Sequence, residues 1–421
     1  MGGIPLRRAF FRIVLLAGSL AYLAATSVHV AGQWLLDHPS KENLERGIRW
    51  DSRNPSLWAR YARQWLFLPD ISESQRAVDA YLRAATLNPL DSGNWNGLAN
   101  AYLQMGDKKN AETALRTELT AVPHSPDASW RLANFLLQEG RSPEAFPYLR
   151  AAATYERSFR FPVFDLGWKL LADPEVILRE LVPSGVEART DYFQFLLARR
   201  KLAEAYPVWK EIQTEKTVVV LGLGNAYVEA LAAAGMGMEA SRVWNELLDI
   251  TGRTKTMPPG ELLTNGDFEA NLTNAGLDWR LTKGPGYKIE LDEFVFQNGT
   301  RSLRVTFDGT SNPDFSGAWQ AVPVEPNRDY RFQGYLKTDS ITTDNGLYFG
   351  IASHGAPPEE RFFHSTENRV ETAVWNREQL DFRTGPNTRV VLISLRRSQS
   401  RKLNNLIQGK AWIDNLSLKT R

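Results

Sequence analysis

The feature that most constrains the fold is an interval of 34 residues that recurs through the first half of the chain. Prolines keep this interval at Pro55, Pro89 and Pro123. Small and apolar residues keep it as well: Ala77, Ala111 and Ala145; Ala80 and Ala114; Gly106 and Gly140; Leu98 and Leu132. A fixed period of about 20 to 50 residues is typical of repeat proteins, in which neighbouring units bury each other's apolar faces. The pattern therefore predicts a stacked array rather than one globular core.

The clearest single unit lies between residues 95 and 123. Its spaced residues are Trp95, Leu98, Ala99, Tyr102, Gly106, Ala111, Leu115 and Pro123. Apolar residues three and four apart form one stripe on a first helix, and alanine lets a second helix approach that stripe closely. The proline then stops the second helix. This unit resembles the tetratricopeptide repeat, although Glu118 stands where that family prefers a small residue.

The repeat continues in a weaker form toward residue 252. Pairs of residues 35 apart carry it: Tyr192 and Tyr227, Leu196 and Leu231, Ala205 and Ala240, Trp209 and Trp244. We therefore predict an all-α solenoid resembling tetratricopeptide-repeat proteins over residues 41–252, with roughly five or six helix pairs and a concave face. The resemblance implies that this concave face docks a protein or peptide partner.

One segment of this region also looks like a nucleotide-binding loop. The β-branched run Thr217–Val220 leads into Gly222 and Gly224, as a strand would lead into a phosphate-binding turn. A dinucleotide site needs a third small residue where helix and strand pack, and Tyr227 occupies that place. Because the 35-residue register assigns Tyr227 to a helix core, the sequence favours a helix here.

The N-terminal segment predicts a membrane anchor. Residues 13–36 contain no Asp, Glu, Lys or Arg, and as a helix they would span about 36 Å, enough for the hydrocarbon layer. Three arginines precede them: Arg7, Arg8 and Arg12. We therefore expect a cytoplasmic N-terminus (residues 1–12), a transmembrane signal anchor (residues 13–36) and a periplasmic bulk, as in a single-pass protein of a bacterial inner membrane. A cleaved signal peptide and a buried helix stay open, because Ser19 and Thr26 make the run less apolar.

Composition excludes several classes of function. Lys and Arg total 50 against 48 Asp and Glu, so the net charge of +2 gives no electrostatic case for binding nucleic acid. The chain has no cysteine, which excludes disulfides, thiolate metal sites and cysteine nucleophiles. The five histidines disfavour most histidine-based catalysis.

The C-terminal third changes from a helical to a β pattern. Pro258 and Pro259 lie in residues 253–260, which we predict to be a linker. Beyond it, apolar and polar residues alternate in short runs: Ser302–Phe307, Tyr330–Tyr335 and Val390–Leu395. Asn-Gly, Asp-Gly and Pro-Asn pairs separate these runs as turns. The chain is therefore predicted to be multidomain, and residues 261–421 to form an all-β jelly-roll sandwich.

Motifs at both ends of this segment resemble those of jelly-roll carbohydrate-binding modules. The opening motif is Leu262–Glu269 and the closing motif is Ala411–Leu418, with Asn298–Val305 and Trp319–Pro326 between them. The resemblance covers nearly all of residues 261–421 and predicts the fold more strongly than the ligand, because the same framework also serves as a plain packing domain. Three framework tryptophans are predicted to pack in the core: Trp279, Trp319 and Trp412.

The resemblance implies a structural calcium ion that joins the first strand to the last. Asp267, Glu269 and Asp414 would supply hard oxygen ligands, and backbone carbonyls near residues 298–302 would complete the shell. The alternative is that Asp267 and Asp414 only cap turns, as such residues commonly do.

The resemblance also implies a glycan site. Sugars present flat C–H faces that aromatic rings cover, while polar side chains bind the hydroxyls. The candidates are Tyr348, Phe362, Phe363 and Trp375. The alternative that Tyr348 and Trp375 pack in the core stays open.

Together these features predict a non-enzymatic, membrane-anchored scaffold of the cell envelope. Its solenoid would dock a protein and its sandwich would bind glycan, in the assembly or export of a surface polysaccharide. Two alternatives stay open. In one, acidic residues in the sandwich cleft make a divergent glycan-active enzyme; in the other, the sandwich is structural and the solenoid alone recognises a protein. Neither the sugar, nor the partner, nor the oligomeric state follows from the sequence.

Overall fold

Two compact units make up the described chain, and they divide between Tyr192 and Phe193. The computed structural model describes residues 4–37, 40–66, 71–252 and 258–421. Residues 253–257 of the predicted linker and residues 1–3 of the predicted cytoplasmic segment lie outside the described residues. The first unit is helical, and the second contains the last helices together with a β-sandwich.

The described helices follow the predicted order. In the first unit they are α1 (Ile4–Asp37), α2 (Lys41–Trp50), α3 (Pro55–Trp65), α4 (Ile71–Leu87), α5 (Ser92–Gln104), α6 (Lys108–Ala121), α7 (Pro126–Gln138), α8 (Ser142–Tyr155), α9 (Arg160–Leu170) and α10 (Pro174–Glu180). The division falls within α11 (Val186–Ala198). The second unit continues with α12 (Leu202–Ile212), α13 (Val218–Ala233) and α14 (Gly237–Ile250). From α3 onward the described helices follow one another as six pairs, so the predicted helical repeat is confirmed.

Polar side chains and prolines set the ends of the repeat helices. The N-caps are Asn54 for α3, Asp91 for α5 and Ser125 for α7. Each accepts hydrogen bonds from backbone N–H groups that have no partner inside the helix. Pro89 and Pro123 follow the ends of α4 and α6, as the repeat predicts. Pro55 instead is the first residue of α3, where a missing N–H costs nothing.

Close approach between helices depends on small residues and, in one place, on a buried ion pair. A Cβ added at Gly97 on α5 would lie 2.2 Å from Cε1 of Tyr81 on α4. Glu118, the departure from the repeat pattern, is fully buried and accepts hydrogen bonds from Ser92 and Arg131. In other repeats a small residue at this position leaves room for the neighbouring side chains. Here the charged pair Glu118 and Arg131 fills that room.

The glycine-rich segment is helical rather than a phosphate-binding turn. Gly222 and Gly224 both lie within α13, and Tyr227 is buried with its hydroxyl donating to Leu202 O at 2.6 Å. The interpretation of these residues as part of the repeat is confirmed.

The predicted membrane anchor is wrong. Residues 13–36 belong to α1, but within the described part of the chain no helix combines enough length with enough apolar character to cross a membrane. The predicted location as a single-pass inner-membrane protein, with membrane contact through this helix, is overturned by the same finding.

Ten strands form the sandwich. They are β1 (Arg280–Leu281), β2 (Tyr287–Asp292), β3 (Ser302–Asp308), β4 (Phe315–Pro323), β5 (Asp329–Ile341), β6 (Tyr348–Ser353), β7 (Phe363–Ser365), β8 (Glu371–Arg383), β9 (Val390–Arg397) and β10 (Gln408–Thr420). Sheet 1 has the order β1-β4-β9-β6-β7, and sheet 2 has the order β2-β3-β10-β5-β8. The paired strands are antiparallel, so the predicted two-sheet sandwich is confirmed.

Alternate residues of the two sheets fill the core between them. From sheet 2 the core includes Val305, Phe332 and Ile413, and from sheet 1 it includes Phe349 and Ile393. Since side chains alternate between the two sides of a strand, the residues next to these point away from the core. This alternation defines the surface considered next.

Candidate glycan-binding face

The outer face of sheet 1 combines aromatic side chains with a floor of small residues. It consists of Trp319, Ala321, Leu392, Ser394, Arg396, Tyr348, Gly350, Ala352, Phe363 and Ser365. Their sequence neighbours Ala318, Ile351 and Leu395 lie in the core, which fixes the direction of the outer set. We call this set the outer face.

The strand register places small side chains in the middle of the outer face. Trp319 pairs with Ser394, Ser394 with Gly350, and Gly350 with Ser365. These residues lie on four neighbouring strands, so the row is about 14 Å long. Trp319 stands at one end of this row, and the small residues Ser394 and Gly350 lie between it and β7.

Arg396, Tyr348 and Phe363 form the other end of the outer face. Phe363 is 47% exposed, and Cζ of Arg396 lies 5.1 Å from the centre of its ring. A Cβ at Gly350 would lie 2.8 Å from Cε2 of Phe363 and 3.0 Å from Cδ of Arg396, so glycine makes room for both side chains. Tyr348 pairs with Arg396 across the strands, and its hydroxyl lies 3.0 Å from Oγ of Ser398.

Helix α13 supports the Trp319 side of the face. Glu229 accepts a hydrogen bond from Nη1 of Arg280 and another from the backbone N–H of Gly276 at 3.2 Å. Arg280 is paired with Trp319, and its Cζ lies 5.9 Å from the Trp319 ring centre. The charge of Arg280 is therefore compensated by Glu229 while its side chain packs beside the tryptophan.

The structure brings two of the four predicted glycan residues together. Tyr348 and Phe363 both belong to the outer face, on neighbouring strands β6 and β7. Phe362 instead packs against the core, with its ring 5.8 Å from that of Phe382. Trp375 lies on β8 of sheet 2 and does not belong to this face.

The framework tryptophans differ from one another. Trp279 lies in the core, as predicted. Trp412 is buried too, but its neighbours Ala411 and Ile413 are the core residues, so it lies on the other side of β10, where its Nε1 donates to Asp292 at 2.7 Å. Trp319 is only partly buried and points outward, so its prediction as a core residue is corrected. The signal that would have found it is the alternation along β4, in which Ala318 and Val322 are core residues.

Two of the three predicted calcium ligands converge on one loop. Oε1 of Glu269 accepts the backbone N–H of Thr300 at 2.7 Å and that of Arg301 at 2.9 Å. Oδ2 of Asp414 accepts the backbone N–H of Gln297 at 2.7 Å. Hydrogen bonds from Thr300 hold the pKa of Glu269 below its usual value, whereas burial raises the pKa of Asp414.

These carboxylates do not form a cation site in the described residues. The third predicted ligand, Asp267, is exposed. Within the described ranges no three His, Cys, Asp or Glu side chains are grouped closely enough to hold a metal ion. Glu269 and Asp414 bind N–H donors, whereas calcium needs carbonyl and carboxylate oxygens pointing at one centre. The calcium ion stays a prediction, and direct hydrogen bonding is the alternative that the structure offers.

Chelation separates these two possibilities. We expect EDTA to leave the melting temperature of the protein unchanged, because Glu269 and Asp414 already bind residues 297–301 directly. Differential scanning calorimetry with and without EDTA measures this. A lower melting temperature that calcium chloride restores would support the calcium prediction instead.

A cavity of about 470 Å³ lies elsewhere in the second unit, lined by residues of α13 and α14 and of segment 272–275. Three of its polar side chains already have partners: Asn225 donates to Leu221 O, Thr251 to Leu247 O, and Thr273 to Ala275 O. The one lining N–H without a partner in the described structure is Nε1 of Trp244. The polar groups therefore do not converge on a ligand, and the cavity is a weaker candidate than the outer face.

The first unit presents a row of polar side chains at equivalent positions of its repeats. Arg63, Asn100 and Asn134 are each the ninth residue of their helix, in α3, α5 and α7. Arg63 and Asn100 are exposed and Asn134 is partly buried. Side-chain amides and guanidinium groups at regular spacing are suited to the backbone groups of an extended peptide.

Comparison with known proteins agrees with the helical half. The family model for the tetratricopeptide repeat matches residues 70–126 and 96–159. The helical half carries tetratricopeptide repeats. MamA protein is a similar solved structure, 22% identical, with 31% of this chain and 73% of that chain covered and a TM-score of 0.27.

The sandwich resembles CBM22 carbohydrate-binding modules. One similar structure is the CBM22-1 xylan-binding domain of Paenibacillus barcinonensis Xyn10C, 14% identical, with 37% of this chain and 91% of that chain covered and a TM-score of 0.27. A curated relative is the tRNA(Glu)-specific nuclease WapA of Bacillus subtilis subsp. natto, 28% identical over 165 residues. That match covers 37% of this chain but only 7% of the nuclease.

Proposed function

We propose that this protein is a non-enzymatic binding scaffold. Its sandwich binds glycan on the outer face of sheet 1, and its repeat helices bind a protein or peptide. The observation that carries the glycan proposal is that Trp319, Tyr348 and Phe363 lie on the same face of sheet 1, with Arg396 on the strand between Trp319 and Tyr348. A role in the assembly or export of a surface polysaccharide stays a prediction.

The geometry of the outer face supports a sugar chain better than it supports a compact ligand. Outward-facing rings spread over four neighbouring strands suit an extended chain, because they cover the C–H faces of successive sugars. The side-chain N–H groups of Arg396 supply hydrogen bonds for hydroxyls. These residues bind and orient a ligand, and the proposal assigns none of them a chemical step.

The repeat row supports a peptide partner in the same way. Arg63, Asn100 and Asn134 lie on the first helices of three successive repeats, α3, α5 and α7, so an extended segment that crosses these helices meets a polar group at each. Arg63 adds a positive charge at the first helix, which favours an acidic residue in the partner.

Substitution of Phe363 tests the glycan proposal. We expect Phe363→Ala to weaken binding to the best ligand on a glycan array about tenfold, because a stacked ring contributes roughly 1 kcal/mol beyond its buried area. Isothermal titration calorimetry with that ligand measures the change. Phe294→Ala is the matched control, since Phe294 is 91% exposed and follows β2 of sheet 2. Equal affinities of both variants and the wild type would exclude the outer face as the site.

A further inference from the structure

The charges of the outer face point to the class of glycan. None of the outer-face residues is acidic, and the face carries one arginine, Arg396. Arg280, at the Trp319 end, is already paired with Glu229. Arg396 has no carboxylate partner among the described residues. The outer face therefore keeps one positive charge, that of Arg396, without a negative partner, and this charge lies beside Tyr348 and Phe363.

The side chain of Arg396 is held in place from several directions. It lies over the ring of Phe363 and beside Gly350, and its Nε atom is buried without a hydrogen-bond partner in the described structure. A buried guanidinium N–H that lacks an acceptor is costly, because it has lost its water without gaining a partner. The charge of the guanidinium is likewise without a carboxylate partner in the described structure, and an anionic group of a ligand would compensate it.

The backbone that carries Arg396 is rigid. The next residue, Arg397, is fully buried and donates to Pro313 O at 2.7 Å and to Asn345 O at 2.9 Å. Ser398 lies 3.0 Å from the hydroxyl of Tyr348. Because side chains alternate along β9, Arg397 points inward and binds the carbonyls of nearby loops, whereas Arg396 points to the outer face.

We infer that the outer face selects acidic polysaccharides, whose sugars carry carboxylate groups, and that Arg396 binds these carboxylates. This inference rests on the proposed glycan function. A uronate carboxylate accepts hydrogen bonds from the guanidinium, while its sugar ring stacks on Phe363 or Tyr348. Arginine suits this position because its planar donor pair matches the two oxygens of a carboxylate.

A pair of polysaccharides that differ only in charge tests the inference. Full-length protein is titrated with polygalacturonate and with the same polymer after its carboxyl groups have been reduced to alcohols. We expect the acidic polymer to bind about tenfold more tightly, with a preference that declines as sodium chloride rises from 50 to 500 mM because salt screens the charges. Arg396→Gln removes this preference, so that the variant binds both polymers with similar affinity.

Arg377→Gln is the control, because Arg377 lies on β8 of sheet 2 and the substitution changes the net charge equally. It leaves the preference as it is in the wild type. Equal binding of both polymers by the wild type overturns the inference and leaves the glycan function standing. Equal loss in Arg396→Gln and Arg377→Gln also overturns it, since the attraction is then general. Absence of binding to either polymer or to any glycan on the array overturns the proposed function, and the inference with it.

Discussion

Asp191→Asn destabilises the first unit by about 3 kcal/mol, because the buried Arg160 then keeps only the exposed Glu187 as a carboxylate partner. Asp191 is 2% exposed and accepts hydrogen bonds from Arg157 at 2.7 Å and from Arg160 at 2.6 Å. Arg160 is itself 8% exposed, so water does not replace the lost carboxylate. Urea denaturation followed by circular dichroism measures the change in the free energy of unfolding.

A surface pair in the same unit provides the control. Glu139 lies 2.8 Å from Lys108, which is exposed, so Glu139→Gln is expected to cost less than 1 kcal/mol. If Asp191→Asn costs no more than Glu139→Gln, the buried cluster does not stabilise the fold and the prediction is wrong.

The same carboxylate gives the first unit an acid-sensitive component. Burial raises the pKa of Asp191, but the hydrogen bonds from Arg157 and Arg160 outweigh burial and hold the pKa below its usual value. A group whose pKa is lower in the folded state stabilises the protein above its unfolded pKa of about 3.9. This stabilisation is lost as the pH falls through the lower folded pKa, and Asp191→Asn lacks that part of the acid transition.

Gly224→Ala and Gly222→Ala have opposite effects on stability, although the two glycines lie two residues apart on α13. A Cβ at position 224 would lie 2.5 Å from Cη2 of Trp209 and 2.8 Å from Cδ2 of Leu247, and Trp209 is fully buried. We expect Gly224→Ala to destabilise the protein by about 2 kcal/mol through overpacking. Nothing lies within 4 Å of a Cβ at Gly222, so Gly222→Ala stabilises the helix by about 0.5–1 kcal/mol.

Because the two variants change the same residue type in the same helix, their difference isolates packing from helix propensity. The measurement is the free energy of unfolding of full-length protein in urea. Effects of the same sign and size would contradict the placement of Gly224 against Trp209.

The repeat and the sandwich follow from the sequence because both depend on local periodicity. The 34-residue interval places apolar residues on one side of each helix, and strict alternation places Phe349 and Ile351 on one side of a strand. Neither pattern depends on knowing which strands are neighbours. Within α13, the register around Tyr227 was enough to favour a helix over a nucleotide loop.

The site follows less well, because it depends on strand order and on single alternation steps. Phe362 and Phe363 are adjacent, and only the start of β7 decides which of them faces the core. Trp375 is close in sequence to Phe363, but β8 pairs with β5 in the other sheet. The membrane anchor was predicted from the absence of charged residues in 13–36, and this prediction was wrong.

The carboxylates near the first and last strands show a similar limit. The resemblance implied that Asp267, Glu269 and Asp414 would meet carbonyls near residues 298–302 around a calcium ion, and in the structure Glu269 and Asp414 accept N–H groups of residues 297–301. Whether the partner is a metal ion or a set of backbone N–H groups depends on the path of the loop. The sequence motif does not specify that path.

The central claim, that the outer face of sheet 1 binds a glycan chain and leaves it intact, is tested most directly by one paired assay. Full-length protein is run in native gels that contain each polysaccharide of an acidic and neutral panel, and the same mixtures are assayed for new reducing ends. The account predicts retarded migration with at least one polysaccharide, lost in Phe363→Ala, and no increase in reducing ends. Unretarded migration with the whole panel, or reducing ends that accumulate with time, would contradict it.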